Sequence, residues 1–172
     1  NVDHLKEVFK LEFPNGTQES IPLVYRGVMY VMVPPNAVRA IDAATGTQIW
    51  EHKRPSGNGR AKTLAIYEDM VYWTAPDNMI VALDAQTGAV RWQTKTTGGM
   101  TSGPIVVGGK VITGRACSPV GENCYIAAHD AKRGKELWRF RTAATDSVHG
   151  QAHHSEILRM NISPVGQRAP AQ

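Results

Sequence analysis

An all-β fold built from β-propeller blades, each of four antiparallel strands, is predicted by three observations. One phrase occurs three times: Ala-Ile-Asp-Ala-Ala-Thr-Gly-Thr-Gln-Ile-Trp at 40–50, Ala-Leu-Asp-Ala-Gln-Thr-Gly-Ala-Val-Arg-Trp at 82–92 and Ala-His-Asp-Ala-Lys-Arg-Gly-Lys-Glu-Leu-Trp at 128–138. Asp42, Gly46 and Trp50 return as Asp84, Gly88 and Trp92, then as Asp130, Gly134 and Trp138. Such a regular spacing means that one supersecondary unit is reused. Between the phrases, short apolar segments are separated by Gly, Pro and Asn turns, and four of them fit each period. Four short antiparallel strands per period make one propeller blade.

Each element has a local reason. Val8-Phe9-Lys10-Leu11-Glu12-Phe13 alternates apolar and polar residues, which predicts a half-buried strand. Pro14-Asn15-Gly16 turns the chain. Residues 21–33 read as two strands joined at Arg26-Gly27, a hairpin. After Pro34-Pro35-Asn36 the chain returns as a third strand, Ala37 to Asp42. Asp42 and Thr45-Gly46 then make a tight turn, because Asp bonds nearby backbone N–H groups and Gly takes positive φ without steric cost. Thr47 to Trp50 runs back as the fourth strand.

The second unit repeats the first in register. Tyr25 and Tyr30 reappear as Tyr67 and Tyr72, and the turn Arg26-Gly27 becomes Glu68-Asp69. In the third unit the hairpin is Ile105 to Ile112 around Gly108-Gly109, followed by a longer loop from Gly114 to Asn123. Insertions of this kind map to one face of a repeat protein, often its binding face. Beyond Arg141 the pattern fades. Residues 1–142 are therefore read as part of a propeller, and 143–172 as a poorly structured polar tail with a short helix at Ser155 to Met160. Propellers close from about four to eight blades. Three phrases imply either a segment of a longer polypeptide or a chain that assembles with itself.

Composition excludes some functions. Hydrophobic residues make up 42% of the chain, ordinary for a globular protein. No apolar run approaches the roughly 20 residues that span a bilayer, and the first residues lack a secretory pattern, so the chain is expected to begin as a mature or truncated segment. The formal charge is +4, but Lys and Arg are scattered without a basic stripe, which argues against a nucleic-acid partner. Gly103 to Lys110 lacks the order of a phosphate loop. Cys117 and Cys124 share one loop: an oxidising compartment favours a bridge, a reducing one two thiols. His149 and His153 have helical i, i+4 spacing, with His154 and Glu156 nearby, but a polar tail without a core is a poor metal site.

The phrase Ala-x-Asp-x-x-Thr-Gly-x-x-x-Trp resembles the tryptophan-docking repeat of the pyrroloquinoline quinone (PQQ) dependent alcohol, methanol and glucose dehydrogenases, over residues 1 to about 141. Asn1 to Phe9 looks like the segment that opens the first blades of that family, and Ile21 to Val31 like its next hairpin. Arg60 to Tyr67 resembles the run in which the family sets an arginine against the quinone's carbonyl and carboxylate oxygens, which makes Arg60 a cofactor ligand. Met100 to Pro104 resembles the stretch that supplies a threonine to the pocket, which adds Thr101. The resemblance implies an eight-bladed propeller holding PQQ with a calcium or lanthanide ion, and hydride transfer from an alcohol or sugar to the quinone. It also implies cytochrome c or a membrane quinone as electron acceptor and a periplasmic location.

Three departures qualify what the resemblance implies. The adjacent cysteine pair of the methanol-oxidising members is absent at Arg54 to Gly59. The position of their metal-binding glutamate falls on Pro119, which leaves Glu122 as the metal-ligand candidate. The loop Gly114 to Tyr125 is similar to a subgroup in which two spaced cysteines, here Cys117 and Cys124, frame the loop as a candidate disulfide. The family's catalytic aspartate, metal-binding asparagine and stacking tryptophan lie beyond this sequence, so the chain is expected to be inactive alone. A different class remains open: a non-catalytic PQQ-like propeller scaffold for protein–protein interaction.

Overall fold

The computed structural model describes residues 2–14, 20–55, 63–100, 102–115 and 124–142. Strands β1 (Leu23–Tyr25), β2 (Val28–Val33), β3 (Ala37–Asp42) and β4 (Gln48–Lys53) form the first sheet, in that order. The second contains β5 (Ala65–Tyr67), β6 (Met70–Ala75), β7 (Met79–Asp84) and β8 (Val90–Lys95). The third contains β9 (Ile105–Val107), β10 (Lys110–Arg115), β11 (Tyr125–Asp130) and β12 (Glu136–Arg141). Every pairing is antiparallel between strands consecutive in sequence, for example Tyr30 with Ala40 and Tyr72 with Ala82. Three four-stranded blades are what the repeated phrase predicts. Among the described residues no helix is long and apolar enough to cross a membrane.

Local chemistry closes the turns. Arg26 and Gly27 take φ of 50° and 78°, so both central residues of the first hairpin are left-handed, matching the twist of its strands. In the phrase, Asp42 Oδ1 accepts from the N–H of Ala44 (2.9 Å) and Thr45 (2.8 Å), and Asp84 Oδ1 from Gln86 (3.0 Å) and Thr87 (2.8 Å). Asp130 repeats the pattern with Lys132 and Arg133, both at 2.9 Å. These bonds hold the Asp42 carboxyl below the usual carboxylate range. The pairing of the third and fourth strands of each blade also shares one irregularity: the register shifts at Ala40/Ile41, Ala82/Leu83 and Ala128/His129. That shift leaves the first Ala of each phrase opposite its last Trp, Ala40 with Trp50 and Ala82 with Trp92.

Adjacent blades are locked by the same residues. Trp50 Nε1 and Tyr30 OH both donate to the carbonyl of Ala85, at 3.0 and 3.1 Å, with their rings 5.9 Å apart. One blade on, Trp92 Nε1 and Tyr72 OH donate to Ala131 O at 2.8 and 3.1 Å. The indoles lie on the phrase glycines of the next blade: a Cβ on Gly88 would stand 2.7 Å from Trp50 Cδ2. Gly134 meets Trp92 in the same way. Around these contacts the first joint gathers Tyr30, Trp50, Val71, Trp73, Val81 and Leu83, all buried.

One expectation needs correction. Val8 to Phe13 pairs with no described strand, although its burial does alternate, with Phe9, Leu11 and Phe13 inward. Leu11 and Phe13 pack on Val31, Val33, Ala37 and Ile41. Phe9 lies on Gly46, where a Cβ would stand 2.8 Å from its Cγ. It therefore sits on the first phrase glycine as Trp50 sits on the second and Trp92 on the third. The alternation reported two faces correctly, but a ladder also needs a neighbour with free backbone groups. The tail 143–172, with Ser155 to Met160 and the histidine group, lies outside the described residues.

Candidate functional site

Antiparallel order sorts the connections between the two ends of each blade. At one end, Ala43 N bonds Gly27 O, Ala85 N bonds Asp69 O and Ala131 N bonds Gly109 O, each at 2.8 or 2.9 Å. The turns Arg26-Gly27, Glu68-Asp69 and Gly108-Gly109 and the three phrase turns are there. At the opposite end, Arg54 N bonds Asn36 O (3.0 Å), Thr96 N bonds Asn78 O (2.9 Å) and Thr142 N bonds Cys124 O (3.0 Å). The last residues of β4, β8 and β10 and the first of β11 lie at this end, and in sequence they flank the connections 54–64, 96–104 and 116–124. In sequence, Arg60 belongs to the first of these connections, Thr101 to the second, and Cys117, Glu122 and Cys124 to the third. Arg60, Thr101, Cys117 and Glu122 themselves lie outside the described residues. Cys124 is buried at the foot of β11, and no free cysteine occurs among the described residues.

The described flanks of these connections touch. Gly103 sits against Thr63, whose carbonyl carbon would be 2.8 Å from a Cβ placed there, so any side chain at 103 would collide with backbone. Thr74 Oγ1 donates to Ser102 O at 2.8 Å and ties the connection to the end of β6. Met100 is 1% exposed and anchors the same stretch in the second joint. Thr63, which follows the Arg60 stretch in sequence, thus meets the Ser102-Gly103 segment, which follows Thr101, near the end of β6.

Sequence reasoning missed two charged groups at this end. Arg54 was read only as part of a stretch lacking cysteines. Its Nε and Nη2 grip Asp77 at 3.0 and 2.7 Å, and its Nη1 donates to Gln93 Oε1 at 2.9 Å. Arg54 and Asp77 side chains are only 12% and 16% exposed, so this bidentate pair clamps the first blade to the second. The Pro76-Asp77-Asn78 turn was the available signal. Arg115 is the second group: its guanidinium lies on Gly98, where a Cβ would stand 2.7 Å from Nη2 and the backbone φ is 131°. Among the described residues no group of three or more His, Cys, Asp or Glu gathers at metal-binding distance.

Comparison with known proteins places this architecture. The PQQ_2 family, described as outer membrane protein assembly factor BamB, matches residues 6–115 and 36–167. The quinohemoprotein alcohol dehydrogenase ADH-IIG of Pseudomonas putida is 34% identical over 153 residues, which cover 80% of this chain and 21% of that protein. The crystal structure of quinohemoprotein alcohol dehydrogenase from Comamonas testosteroni superposes with a TM-score of 0.64 at 33% identity, covering 72% of this chain and 21% of that one. The chain belongs to the PQQ-dependent quinoprotein dehydrogenase family. A europium-containing methanol dehydrogenase is also similar, with TM-score 0.59 and 27% identity over 69% of this chain and 23% of that one. The quinoprotein chain described here spans about a fifth of the length of the curated relatives it matches. Its blades are therefore a partial quinoprotein propeller.

Proposed function

We propose that this chain forms part of the cofactor wall of a PQQ-dependent dehydrogenase that oxidises an alcohol or a sugar. The observation that supports the reading is topological: every connection holding a candidate residue is flanked in sequence by a described strand that ends at one and the same end of the blades. The cofactor is a tricarboxylate, and fixed cations and hydroxyls suit it. The described residues of that end fit such a group, since Arg115 has no described ion-pair partner and Tyr125 OH and Thr113 Oγ1 are buried without a hydrogen-bond partner. When bound, the quinone supplies the carbonyl that accepts hydride. On this reading Arg60 binds carboxylate and carbonyl oxygens through its planar fork, and Thr101 adds one hydrogen bond. Glu122 is one ligand of a calcium or lanthanide ion, a choice supported by the europium-containing relative. Cys117 and Cys124 form a disulfide, supported by the lack of a free thiol among the described residues.

The same reading gives residues 1–142 to the propeller and 143–172 to a polar tail, with further blades completing the site. It places the protein in the periplasm and passes electrons to cytochrome c or a membrane quinone, and the chain alone does not turn over. Loading the chain with PQQ and calcium or a lanthanide should raise its Tm and retain quinone absorbance through gel filtration. No shift and no retained absorbance would end the cofactor reading. Unchanged PQQ affinity in Arg60→Ala would remove that residue alone. A second reading, a non-catalytic scaffold for protein–protein interaction, draws on the description of the matching family as an assembly factor. It predicts no response to PQQ.

A further inference from the structure

The two joints between blades are built on the same register but not from the same residues. On the face that the second blade turns to the first, Val71 stands opposite Leu83, Trp73 opposite Val81 and Ala75 opposite Met79. Directly opposed residues share a face, and this one is apolar throughout, packed with Trp50 and Tyr30. The same positions of the third blade hold Val111 opposite His129, Thr113 opposite Ala127 and Arg115 opposite Tyr125. Val111 packs with Met100 and Trp92 of the second blade, which identifies the face. A wall of Trp, Ala and Met has become one of Thr, Arg and Tyr.

Those polar groups are not paired with one another. Thr113 and Tyr125 are 2% and 3% exposed, and their hydroxyl oxygens have no hydrogen-bond partner. Buried hydroxyls left in that state are destabilising, and native proteins seldom keep them without a purpose. Beside them, half-buried, lies Arg115, which makes no hydrogen bond or ion pair with any described residue. Its position is fixed by Gly98, which admits the guanidinium only because it has no side chain. Two hydroxyl donors and a planar fork of N–H donors, all without acceptors, call for an acceptor-only group, and a carboxylate matches the fork bidentately. The register sets all three at or near the end where the chain crosses between blades.

We propose that Arg115, Tyr125 and Thr113 form a carboxylate-binding subsite in the joint between the second and third blades, filled by a carboxylate of a polycarboxylate ligand. Naming that ligand as PQQ rests on the function proposed above. A tricarboxylate offers more than one carboxylate to bind, and Arg115, on the third blade, supplies a cation in addition to the proposed Arg60.

The test is calorimetric titration of the 172-residue chain with PQQ and, separately, with benzene-1,3,5-tricarboxylate, which carries carboxylates without a quinone. Arg115→Gln should weaken binding of each roughly ten- to a hundredfold, the scale of a lost charge-assisted pair, and Arg115→Lys by less. Tyr125→Phe should weaken binding several-fold while leaving the ligand-free Tm unchanged or higher, since the deleted hydroxyl had no partner. Binding of the tricarboxylate but not of PQQ, lost in Arg115→Gln, upholds the subsite and rejects the cofactor reading. PQQ bound equally tightly by wild type, Arg115→Gln and Tyr125→Phe rejects the subsite and keeps the cofactor. The subsite is also overturned if neither ligand binds, or if Tyr125→Phe lowers the ligand-free Tm.

Discussion

Trp92 shows what one side chain does in this fold. It is 9% exposed, donates to Ala131 O at 2.8 Å and covers Gly134, so a hydrogen bond and a close packing contact join two blades through one buried indole. Trp92→Ala should cost about 3–5 kcal/mol, the range for a large aromatic removed from a core. Trp138 holds the same place in its phrase but is only half-buried, so Trp138→Ala should cost clearly less in the same urea titration. Equal losses would mean that burial at the joint is not what the phrase tryptophans contribute. His129 offers a second test at this scale. Burial pushes its pKa below the ordinary value, with Glu136 opposing and Arg139 assisting, and burial lowers His52 likewise. An unfolded histidine titrates near about 6.5, so below that pH the unfolded chain binds protons that the folded chain refuses. Stability should be complete above that value and fall as pH drops towards the lower folded values. His129→Leu, which copies Leu83 at the equivalent position, should flatten part of the loss in denaturation midpoint between about pH 7.5 and 5.5. The Asp42 and Asp84 carboxyls are held below the ordinary carboxylate range, so they do not obscure the effect. The docking role of the tryptophans was legible in the sequence. Their partner was not: Tyr30 and Tyr72 served as register marks, and nothing in their spacing said that each hydroxyl would share an acceptor with an indole.

Strands and connections were legible to different degrees, for a physical reason. Hairpins whose turn chemistry is local, such as Arg26-Gly27 and Gly108-Gly109, fell where sequence predicted them, because a two-residue turn fixes the pairing of its own strands. Val8 to Phe13 did not, because its alternation is a statement about faces and its ladder partner is not local. The connections were the least legible. Arg54 follows β4 as one more cation, and only the fold brings it to Asp77 across the joint. A double-mutant cycle on Arg54→Ala and Asp77→Ala should show a coupling of about 1–3 kcal/mol, within the range for contacting charged groups that are mostly shielded from water. Additive single losses in urea unfolding would reduce the clamp to two solvated side chains. Arg91, bonded to Asp84 at 2.6 Å but 49% exposed, is the control and should couple by under about 1 kcal/mol. The candidate residues Arg60, Thr101 and Glu122 share the difficulty of Arg54. Resemblance can nominate them one by one, but only strand order gathers their connections at one end.

For the whole molecule, stability in a repeat array is approximately a sum of units and of the joints between neighbours, so unequal joints divide the array. The first joint is apolar, with Trp73 and Leu83 buried at 2% and 0%, and is clamped by Arg54 and Asp77. The second keeps the tryptophan dock but puts Thr113, Arg115, Tyr125 and His129 where the first has Trp73, Ala75, Met79 and Leu83. Four polar residues in place of four apolar ones remove buried apolar area and add unpartnered groups, and both changes act in the same direction. Amide hydrogen exchange should therefore find β10 and β11 opening at lower free energy than β6 and β7, with the third blade separating before the first two part. A polycarboxylate in the subsite would reverse the order of cause: it supplies acceptors to Arg115, Tyr125 and Thr113 together, and binding only to the docked state adds stability as RT ln(1 + [L]/Kd). Protection of β10 and β11 should then rise with ligand concentration while that of β2 and β3 stays constant. Uniform exchange across the three blades without ligand would show that the polar face costs nothing, and would remove the energetic reason for expecting anything to fill it.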